Sequence, residues 1–226
     1  MPFCVAQEPV FYTHTLCPYA ERVFVALLEK RVPFHLVHVD LAHKPAWYRG
    51  LNLRGLVPAV QHQGQVHLES ADIIRWVDSA FEGPPLVPSE AAARRDMEEL
   101  LRGPCSKVVS AGLDLMAGKT GRYWGIGGGQ SAAQRSAMDA ALQGLAGSLS
   151  KHGGPFLLGA APCLADIAVY PFAKRFAVAA PLTGTTAADP GLLLQAFRKH
   201  MSLDFFDYDS FNAFQLHPQN RHLLEL

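Results

Sequence analysis

A proline-rich break at residues 82–89 divides this chain of 226 residues into two parts with different periodicities. The segment reads EGPPLVPS, and its three prolines and one glycine end any helix that precedes them. Strand-like and helix-like segments alternate before the break, whereas the part after it is helical in period. The length is sufficient for two small domains that each bury a core. We therefore predict a first domain over 1–81, a linker over 82–89 and a second domain over 90–226.

The first part alternates its segments in the order β-α-β-α-β-β-α. β-Branched and aromatic runs predict the strands, apolar residues three or four apart predict the helices, and Gly64 marks a hairpin turn. The segments are strands at 9–15 and 33–40, helices at 17–30 and 70–82, a short helix or irregular segment at 44–52, and two strands within 57–70. This order predicts a small mixed sheet with helices on its faces.

Two helices of the first part carry apolar faces that predict which side packs on the sheet. The inward positions are Val23, Phe24, Leu27 and Leu28 on the first, and Ile73, Ile74 and Val77 on the second.

After the linker, Ser89 can cap a helix and no convincing strand follows. Helices are predicted at 90–116, 131–152, 164–179, 190–200 and 203–215, with a glycine-rich loop between the first two.

Cys17 stands directly before Pro18 at the start of the first helix. Proline suits the first helical turn because its missing N–H would have no intrahelical partner there. Cys17 is therefore predicted at or beside the N-cap, where backbone N–H groups and the helix dipole favour a negative sulfur. Thiols at such positions have pKa values lowered to roughly 3.5–7.5, which makes them nucleophilic. The alternative is that Cys17 is a small buried apolar residue.

Two later segments favour the reactive interpretation. A cis proline at Val57-Pro58, where a strand begins, would turn the Val57 backbone outward to pair with a peptide-like ligand. Ser70 is predicted as the N-cap of the next helix, whose start can hold a carboxylate, and Glu69 can pair with an ammonium group. Together with Cys17, these segments describe a receptor for a small thiol peptide.

Several classes of protein are excluded by the composition. Lys and Arg total 20, as do Asp and Glu, so there is no basic surface for nucleic acid or an anionic membrane. The four cysteines are scattered without a CxxC pair, which indicates a reducing compartment rather than a disulfide framework. No apolar run predicts a membrane span, and the ten histidines lack metal-ligand spacing. We expect a cytoplasmic protein without a metal, or a plastid one if a transit peptide is removed.

The sequence resembles the cysteine-type glutathione transferases of the omega and lambda classes, and is most similar to the lambda class. The resemblance rests on CPYAERVFVALLEK, HKPAWY, GLVPAV and ES in the first part, on the linker FEGPPLVP, and on GPFLLGAAPCLADIAVYPFAKRF in the second. It implies a thioredoxin-like N-terminal domain and an all-helical C-terminal domain. A pocket for the acceptor substrate would lie between them.

The resemblance also implies a role for individual residues. Cys17 would form a mixed disulfide with glutathione, and Lys44 would contact the glycyl carboxylate. Val57 would pair its backbone with the cysteinyl unit of glutathione, beside a cis Pro58. Glu69 and Ser70 would hold the γ-glutamyl head. The acceptor-site candidates, none with a role fixed by a motif, are Tyr19, Met97, Leu101, Tyr123, Trp124, Phe172 and Arg175.

Three positions depart from the family pattern. In NLRGLVP, Leu53 replaces a proline and Leu56 replaces a lysine that lambda members often carry, which leaves Lys44 as the candidate for the glycyl contact. Cys163 stands where a serine or threonine usually caps the central helix of the second domain. A thiol is a weak acceptor, so we expect a weaker cap there, with Asp166 favouring the helix start through its charge.

The implied activity is thiol transfer and removal of glutathione from its adducts, such as those of ketones, quinone-like compounds or flavonoids. Ala20 occupies the position of a resolving cysteine, so a second glutathione would have to release the first. Two other functions remain open: dehydroascorbate reduction, and non-catalytic carriage of a flavonoid-like ligand. A relative of the chloride intracellular channels is disfavoured because charged residues interrupt the first helix. We expect a monomer.

Overall fold

A computed structural model describes residues 8–15, 17–117 and 131–183 of the chain. The chain divides into two compact units, 1–87 and 88–226. The division therefore falls inside the predicted linker 82–89.

The elements of the first unit follow the order β-α-β-α-β-β-α that the sequence predicts. They are β1 (Val10–Thr13), α1 (Pro18–Glu29), β2 (His35–His38), α2 (Ala46–Leu51), β3 (Ala59–His62), β4 (Gln65–Leu68) and α3 (Ser70–Ala80). The segment at 44–52, which the sequence left open, is a short helix. The predicted strands are shorter at their ends than the apolar runs that indicate them.

The four strands form one mixed sheet in the order β2-β1-β3-β4. β1 runs parallel to β2, with Thr13 opposite His38, and antiparallel to β3. β3 and β4 form a hairpin whose two turn residues, Gln63 and Gly64, both have positive φ, as a tight type I′ turn requires. This sheet with its helices confirms the predicted thioredoxin-like domain.

α1 and α3 pack against each other in the first unit. The residues with no exposed surface there include Phe11, Ala20, Val23, Leu27, Ile73 and Val77. The prediction is wrong for Leu28, which is 40% exposed. The five residues 23–27 are buried on every side of the helix, whereas Leu28 lies in the last turn, one residue before α1 ends at Glu29.

Asp78, near the end of α3, ties the linker segment to the first unit. Its Oδ1 accepts hydrogen bonds from Lys30 Nζ at 3.1 Å and from the Leu86 N–H at 2.7 Å, and its Oδ2 accepts from the Val87 N–H at 3.1 Å. Gly83, at a φ of 124°, lies so close to the Lys30 carbonyl that a Cβ would come within 2.5 Å of its oxygen. These contacts explain why the first unit continues to Val87.

The second unit is built from helices in its described part, apart from one isolated bridge between Phe156 and Gly159. The helices are α4 (Ala91–Leu100), α5 (Ser106–Ala117), α6 (Ala132–His152) and α7 (Leu164–Thr183), with a π-helical turn at Leu101–Cys105. The predicted helices at 131–152 and 164–179 correspond to α6 and α7. Those predicted at 190–200 and 203–215 lie outside the described residues.

The π-helical turn corrects the prediction of one regular helix over 90–116. Pro104 lies inside the turn, between α4 and α5. In an α-helix proline cannot donate a backbone hydrogen bond, and its ring clashes with the carbonyl four residues earlier. The wider π turn lets the helix continue through this position, whereas apolar periodicity alone does not reveal it.

Asp166 stabilises the start of α7 more directly than the sequence suggests. Its Oδ1 accepts from the Leu157 N–H at 2.8 Å, and its Oδ2 accepts from the Cys163 N–H at 2.9 Å and the Cys163 Sγ at 3.1 Å. The thiol therefore acts as a donor here rather than as the weak capping acceptor that we expected. Asp166 is completely buried, and burial raises the pKa of its carboxyl group.

Candidate functional site

Cys17 is the N-cap residue of α1, with an extended backbone (φ −82°, ψ 113°) and Pro18 in the first turn, as predicted. Its N–H donates to the His14 carbonyl at 3.0 Å, and its own carbonyl accepts from the Glu21 N–H at 3.1 Å. The residue is half-buried. The first turn of α1 therefore directs backbone N–H groups and the positive end of its dipole toward this position, which favours a thiolate.

The Cys17 sulfur lies beside the segment that precedes β3. Its Sγ is 3.6 Å from the Val57 carbonyl oxygen, a contact between residues 40 positions apart in the sequence. The Val57–Pro58 peptide bond is cis, as the resemblance implies. Within the described residues, no hydrogen-bond acceptor pairs with the Val57 N–H. The structure thus brings together the thiol and the Val57 backbone, which the sequence analysis named separately.

The loop before Val57 is fixed by side chains from α2 and from the residue that follows it. The Leu56 carbonyl accepts from the Tyr48 hydroxyl at 2.6 Å and from Asn52 Nδ2 at 2.9 Å. Asn52 Oδ1 in turn accepts from the Arg54 N–H at 3.1 Å. Tyr48 and Asn52 are buried, so the loop is anchored from its protein-facing side.

Lys44 reaches the same loop. A Cβ added to Gly55 would come within 3.0 Å of Lys44 Cδ, so the glycine leaves room for the lysine stem. Gly55 also has a φ of 61°, a conformation that side chains other than glycine rarely adopt. Both features keep the Lys44 side chain next to the segment that ends at Val57.

The start of α3 differs from the prediction by one residue. Ser70 is the first helical residue, and Glu69 is the N-cap, with a φ of 64°. The positive φ of Glu69 ends β4 and turns the chain into the helix, so Ser70 does not cap it as predicted. The Ser70 hydroxyl oxygen accepts from Arg22 Nη1 at 3.3 Å, which links the start of α3 to α1.

Glu69 is exposed, and its carboxylate pairs with the Arg54 guanidinium. Arg54 lies in the loop anchored by Asn52, so this ion pair connects the start of α3 to the loop before Val57. Arg22 lies 5.2 Å over the Tyr19 ring, beside Cys17. These contacts link the start of α1, the loop before Val57 and the start of α3, where the predicted binding residues lie.

The described residues provide neither a metal cluster nor a membrane span. In 8–15, 17–117 and 131–183, no three His, Cys, Asp or Glu side chains are grouped to hold a metal ion. No helix in those same ranges is long and apolar enough to cross a bilayer.

Two family models match the chain. The N-terminal domain of glutathione S-transferases matches residues 16–80, and the C-terminal domain matches residues 128–199. Together they match more than half of the chain. The chain belongs to the glutathione transferase family.

Curated relatives place this transferase beside the lambda class. Glutathione S-transferase L1 of Arabidopsis thaliana, a lambda-class protein, is 34% identical over 170 residues, which span 74% of this chain and 66% of that one. Protein IN2-1 of Zea mays is 34% identical over 168 residues, spanning 73% of this chain and 63% of that one. The match therefore covers just under two thirds of the length of these relatives.

Solved structures confirm the fold of the transferase. Glutathione transferase Omega 3C from Trametes versicolor superposes with a TM-score of 0.72 at 21% identity, covering 88% of this chain and 87% of that one. At this identity the likeness shows the fold alone. It agrees with the predicted combination of a thioredoxin-like domain and a helical domain.

The predicted acceptor-site residues differ in accessibility. Tyr19, next to Cys17, is 39% exposed, and Leu101 lies half-buried in the π-helical turn. Met97 and Phe172 are fully buried, and Arg175 is nearly so, with its Nη1 donating to the Pro171 carbonyl at 2.8 Å. Tyr123 and Trp124 lie outside the described residues. The acceptor role of all seven stays a prediction.

Sequence reasoning missed the residues that shape the loop of the transferase. Tyr48 and Asn52 hold Leu56, while Arg54 pairs with Glu69. Asn52 opens the NLRGLVP segment and Tyr48 ends HKPAWY, so both belong to segments that the resemblance marked. Their contacts depend on side-chain geometry that no spacing rule provides.

Proposed function

We propose that this transferase is a glutathione-dependent thiol transferase in which Cys17 is the nucleophile. The observation that carries the proposal is the position of the Cys17 sulfur, at the N-terminus of α1 and 3.6 Å from the Val57 carbonyl. A glutathionyl group paired with the Val57 backbone would hold its own sulfur beside this thiolate. Proximity of this kind replaces a bimolecular encounter with an oriented one.

The reaction consists of two thiol–disulfide exchanges. The Cys17 thiolate attacks the glutathionyl sulfur of a mixed disulfide, forming a Cys17–glutathione disulfide and releasing the acceptor as a thiolate. A second glutathione, as its thiolate, attacks the glutathionyl sulfur, so that oxidised glutathione leaves and the Cys17 thiolate is restored. The net reaction consumes one free glutathione: the mixed disulfide of the acceptor and one glutathione thiol become the acceptor thiol and oxidised glutathione.

The surroundings of Cys17 support a mechanism with one protein thiol. Ala20 occupies the position of a resolving cysteine, and Cys105 and Cys163 are buried. Within the described part of the chain, neither of the other two cysteines is accessible enough to resolve oxidised Cys17, so glutathione is its proposed resolving thiol. Dehydroascorbate reduction would use the same thiol and the same resolving step.

The charges around Cys17 suit glutathione, which carries two carboxylates and one ammonium group. Lys44 provides a cation beside the loop for the glycyl carboxylate. Glu69 provides an anion for the γ-glutamyl ammonium, and Ser70 opens the N-terminus of α3 for the γ-glutamyl carboxylate. We infer that the helical unit contributes the acceptor site.

The test is the turnover of a small glutathione mixed disulfide by wild type and by Cys17→Ser. We expect the serine variant to lose at least about 100-fold in kcat, because a hydroxyl cannot form the mixed disulfide. Cys105→Ser, which changes a buried thiol, serves as the matched control and should keep its turnover. Measurable and equal turnover of wild type and Cys17→Ser would refute Cys17 as the nucleophile. No turnover by wild type, with the same ligand affinity in Cys17→Ser, would favour non-catalytic ligand carriage instead.

A further inference from the structure

Leu56 presents one carbonyl oxygen to two buried donors. The Tyr48 hydroxyl lies 2.6 Å from that oxygen, and Asn52 Nδ2 lies 2.9 Å from it. Tyr48 has no exposed surface, and Asn52 is 5% exposed. Two hydrogen bonds to one acceptor use both of its lone pairs, so the carbonyl is held in direction as well as position.

The same peptide unit carries the Val57 N–H. The Leu56–Val57 bond is not the cis bond of this segment, so it is trans and planar, with its C=O and N–H directed to opposite sides. Fixing the Leu56 oxygen toward Tyr48 and Asn52 therefore turns the Val57 N–H away from them. No acceptor among the described residues pairs with this N–H.

We propose that Tyr48, together with Asn52, is a positioning residue that orients the Leu56–Val57 amide so that the Val57 N–H can bind a ligand's peptide carbonyl. The inference rests on the proposed function, in which Val57 pairs with the cysteinyl unit of glutathione. Hydrogen bonds to the carbonyl end of an amide also polarise its N–H, which strengthens the donor.

The state of the Tyr48 hydroxyl suits this role. Burial, followed by smaller effects that include the nearby Cys17, raises the pKa of Tyr48 to about 12. The hydroxyl therefore stays protonated, and remains a donor to Leu56, at neutral and moderately alkaline pH. A thiolate at Cys17 reinforces this, because its negative charge opposes ionisation of the phenol.

The test compares Tyr48→Phe with Tyr12→Phe. Tyr12 is a buried tyrosine whose ring packs on Tyr48, with 5.6 Å between centroids, but whose hydroxyl donates to Gln61 Oε1 at 2.9 Å, so its variant loses a similar bond without removing a donor to Leu56. We expect Tyr48→Phe to weaken binding of reduced glutathione about two- to tenfold, the range for one lost hydrogen bond, and Tyr12→Phe to leave it unchanged. Titration followed by the 15N–1H resonance of Val57 measures both the affinity and the amide.

A second measurement distinguishes a positioning role of Tyr48 from a general disruption of the site. Alkylation of Cys17 by iodoacetamide needs no amide donor, so its rate should stay within about twofold of wild type in Tyr48→Phe. If Tyr48→Phe fails to fold, Asn52→Asp provides the second variant, because it removes the other donor to Leu56 while keeping an acceptor for the Arg54 N–H. It should weaken glutathione binding in the same way.

The outcomes separate this inference from the proposed function. If the Val57 resonance responds to glutathione in wild type but Tyr48→Phe binds as tightly as Tyr12→Phe, the positioning role is refuted and the proposed function stands. If the Val57 resonance does not respond in any protein, wild type included, the glutathione site itself is wrong and the inference falls with it.

Discussion

Cys17 and Cys163 each precede a helix, and the carbonyl of each accepts the first hydrogen bond of that helix, at 3.1 Å and 3.2 Å. Their sulfurs have different surroundings. Cys17 is half-buried, with its sulfur near a neutral carbonyl, whereas Cys163 is buried and donates to the Asp166 carboxylate. Burial, followed by the negative charge of Asp166, raises the pKa of Cys163 far above its usual value.

The comparison shows that a helix N-terminus does not by itself make a reactive thiolate. The helix dipole contributes a similar favourable potential at both positions. Desolvation and a neighbouring carboxylate oppose the charged sulfur at Cys163, and both outweigh the dipole there. The greater accessibility of Cys17 and the contact of Cys163 with the Asp166 carboxylate are what distinguish the two sites.

The largest expected difference is in alkylation of the native protein. At neutral pH, iodoacetamide should modify Cys17 at least about 1,000-fold faster than Cys163, because a buried thiol reacts through the small unfolded population. Raising the pH from 7 to 9 should leave Cys163 unmodified in the folded protein, since its pKa is raised. Peptide mapping after timed quenching measures both rates. Comparable alkylation rates of Cys17 and Cys163 in the native protein would contradict the predicted difference in reactivity.

The next largest effect concerns the start of α7, which Asp166 stabilises, and is measured as a change in the free energy of unfolding. Asp166→Ala leaves the donors at Leu157 and Cys163 without their buried acceptor, so it should lower the free energy of unfolding by about 3 kcal/mol. Asp114→Ala, at an exposed position of the same unit, should change it by no more than about 0.5 kcal/mol. Urea unfolding of both variants tests this, and equal stabilities would show that Asp166 does not anchor α7.

The start of α3 provides a third case, in which the N-cap carboxylate of Glu69 pairs with Arg54 rather than with a thiol. Glu69→Gln should weaken binding of reduced glutathione about tenfold, because it removes the partner of the ligand ammonium. Arg54→Gln should strengthen binding up to about fivefold, because the ammonium no longer competes with the exposed guanidinium. Calorimetric titration measures both. Weaker binding by Arg54→Gln would mean that Arg54 itself contacts the ligand.

The smallest effect lies at the end of β1, four residues before Cys17. The Thr13 side chain is fully buried, and its hydroxyl has no hydrogen-bond partner in the described part of the chain, unlike the fully paired Asp166. Thr13→Val replaces that hydroxyl with a methyl group of similar size and should raise the free energy of unfolding by about 1 kcal/mol. Thr15→Val, at an exposed position, is the control, and a less stable Thr13→Val would indicate a hidden partner.

Much of the fold could be predicted because its signals are local. The hairpin turn at Gly64 and the apolar stripe through Val23 and Leu27 follow from short segments. The π turn at Pro104 could not be predicted, because proline gives the same signal at a kink, a break or a π turn. The start of α3 was misplaced by one residue because the positive φ of Glu69 is set by the chain on both sides.

The site was predictable only in part. Cys17 and Pro18 carry a physical signal for a helix start, so that reactivity could be argued from two adjacent residues. The contact of Cys17 with Val57 spans 40 positions and follows from the order of the strands, which the resemblance supplied. The anchoring of Leu56 by Tyr48 and Asn52 depends on rotamers in a packed core, which no sequence pattern encodes.

Intact mass spectrometry after exposure to oxidised glutathione tests the central claim most directly. Cys4, which lies outside the described residues, is first replaced by serine so that it cannot be glutathionylated. In this background, we expect the protein and its Cys163→Ser variant each to gain one glutathionyl group, which reduced glutathione removes. The Cys17→Ser variant should gain none. A glutathionyl group on the Cys17→Ser variant, or none on the protein that retains Cys17, would contradict the assignment of Cys17 as the working thiol.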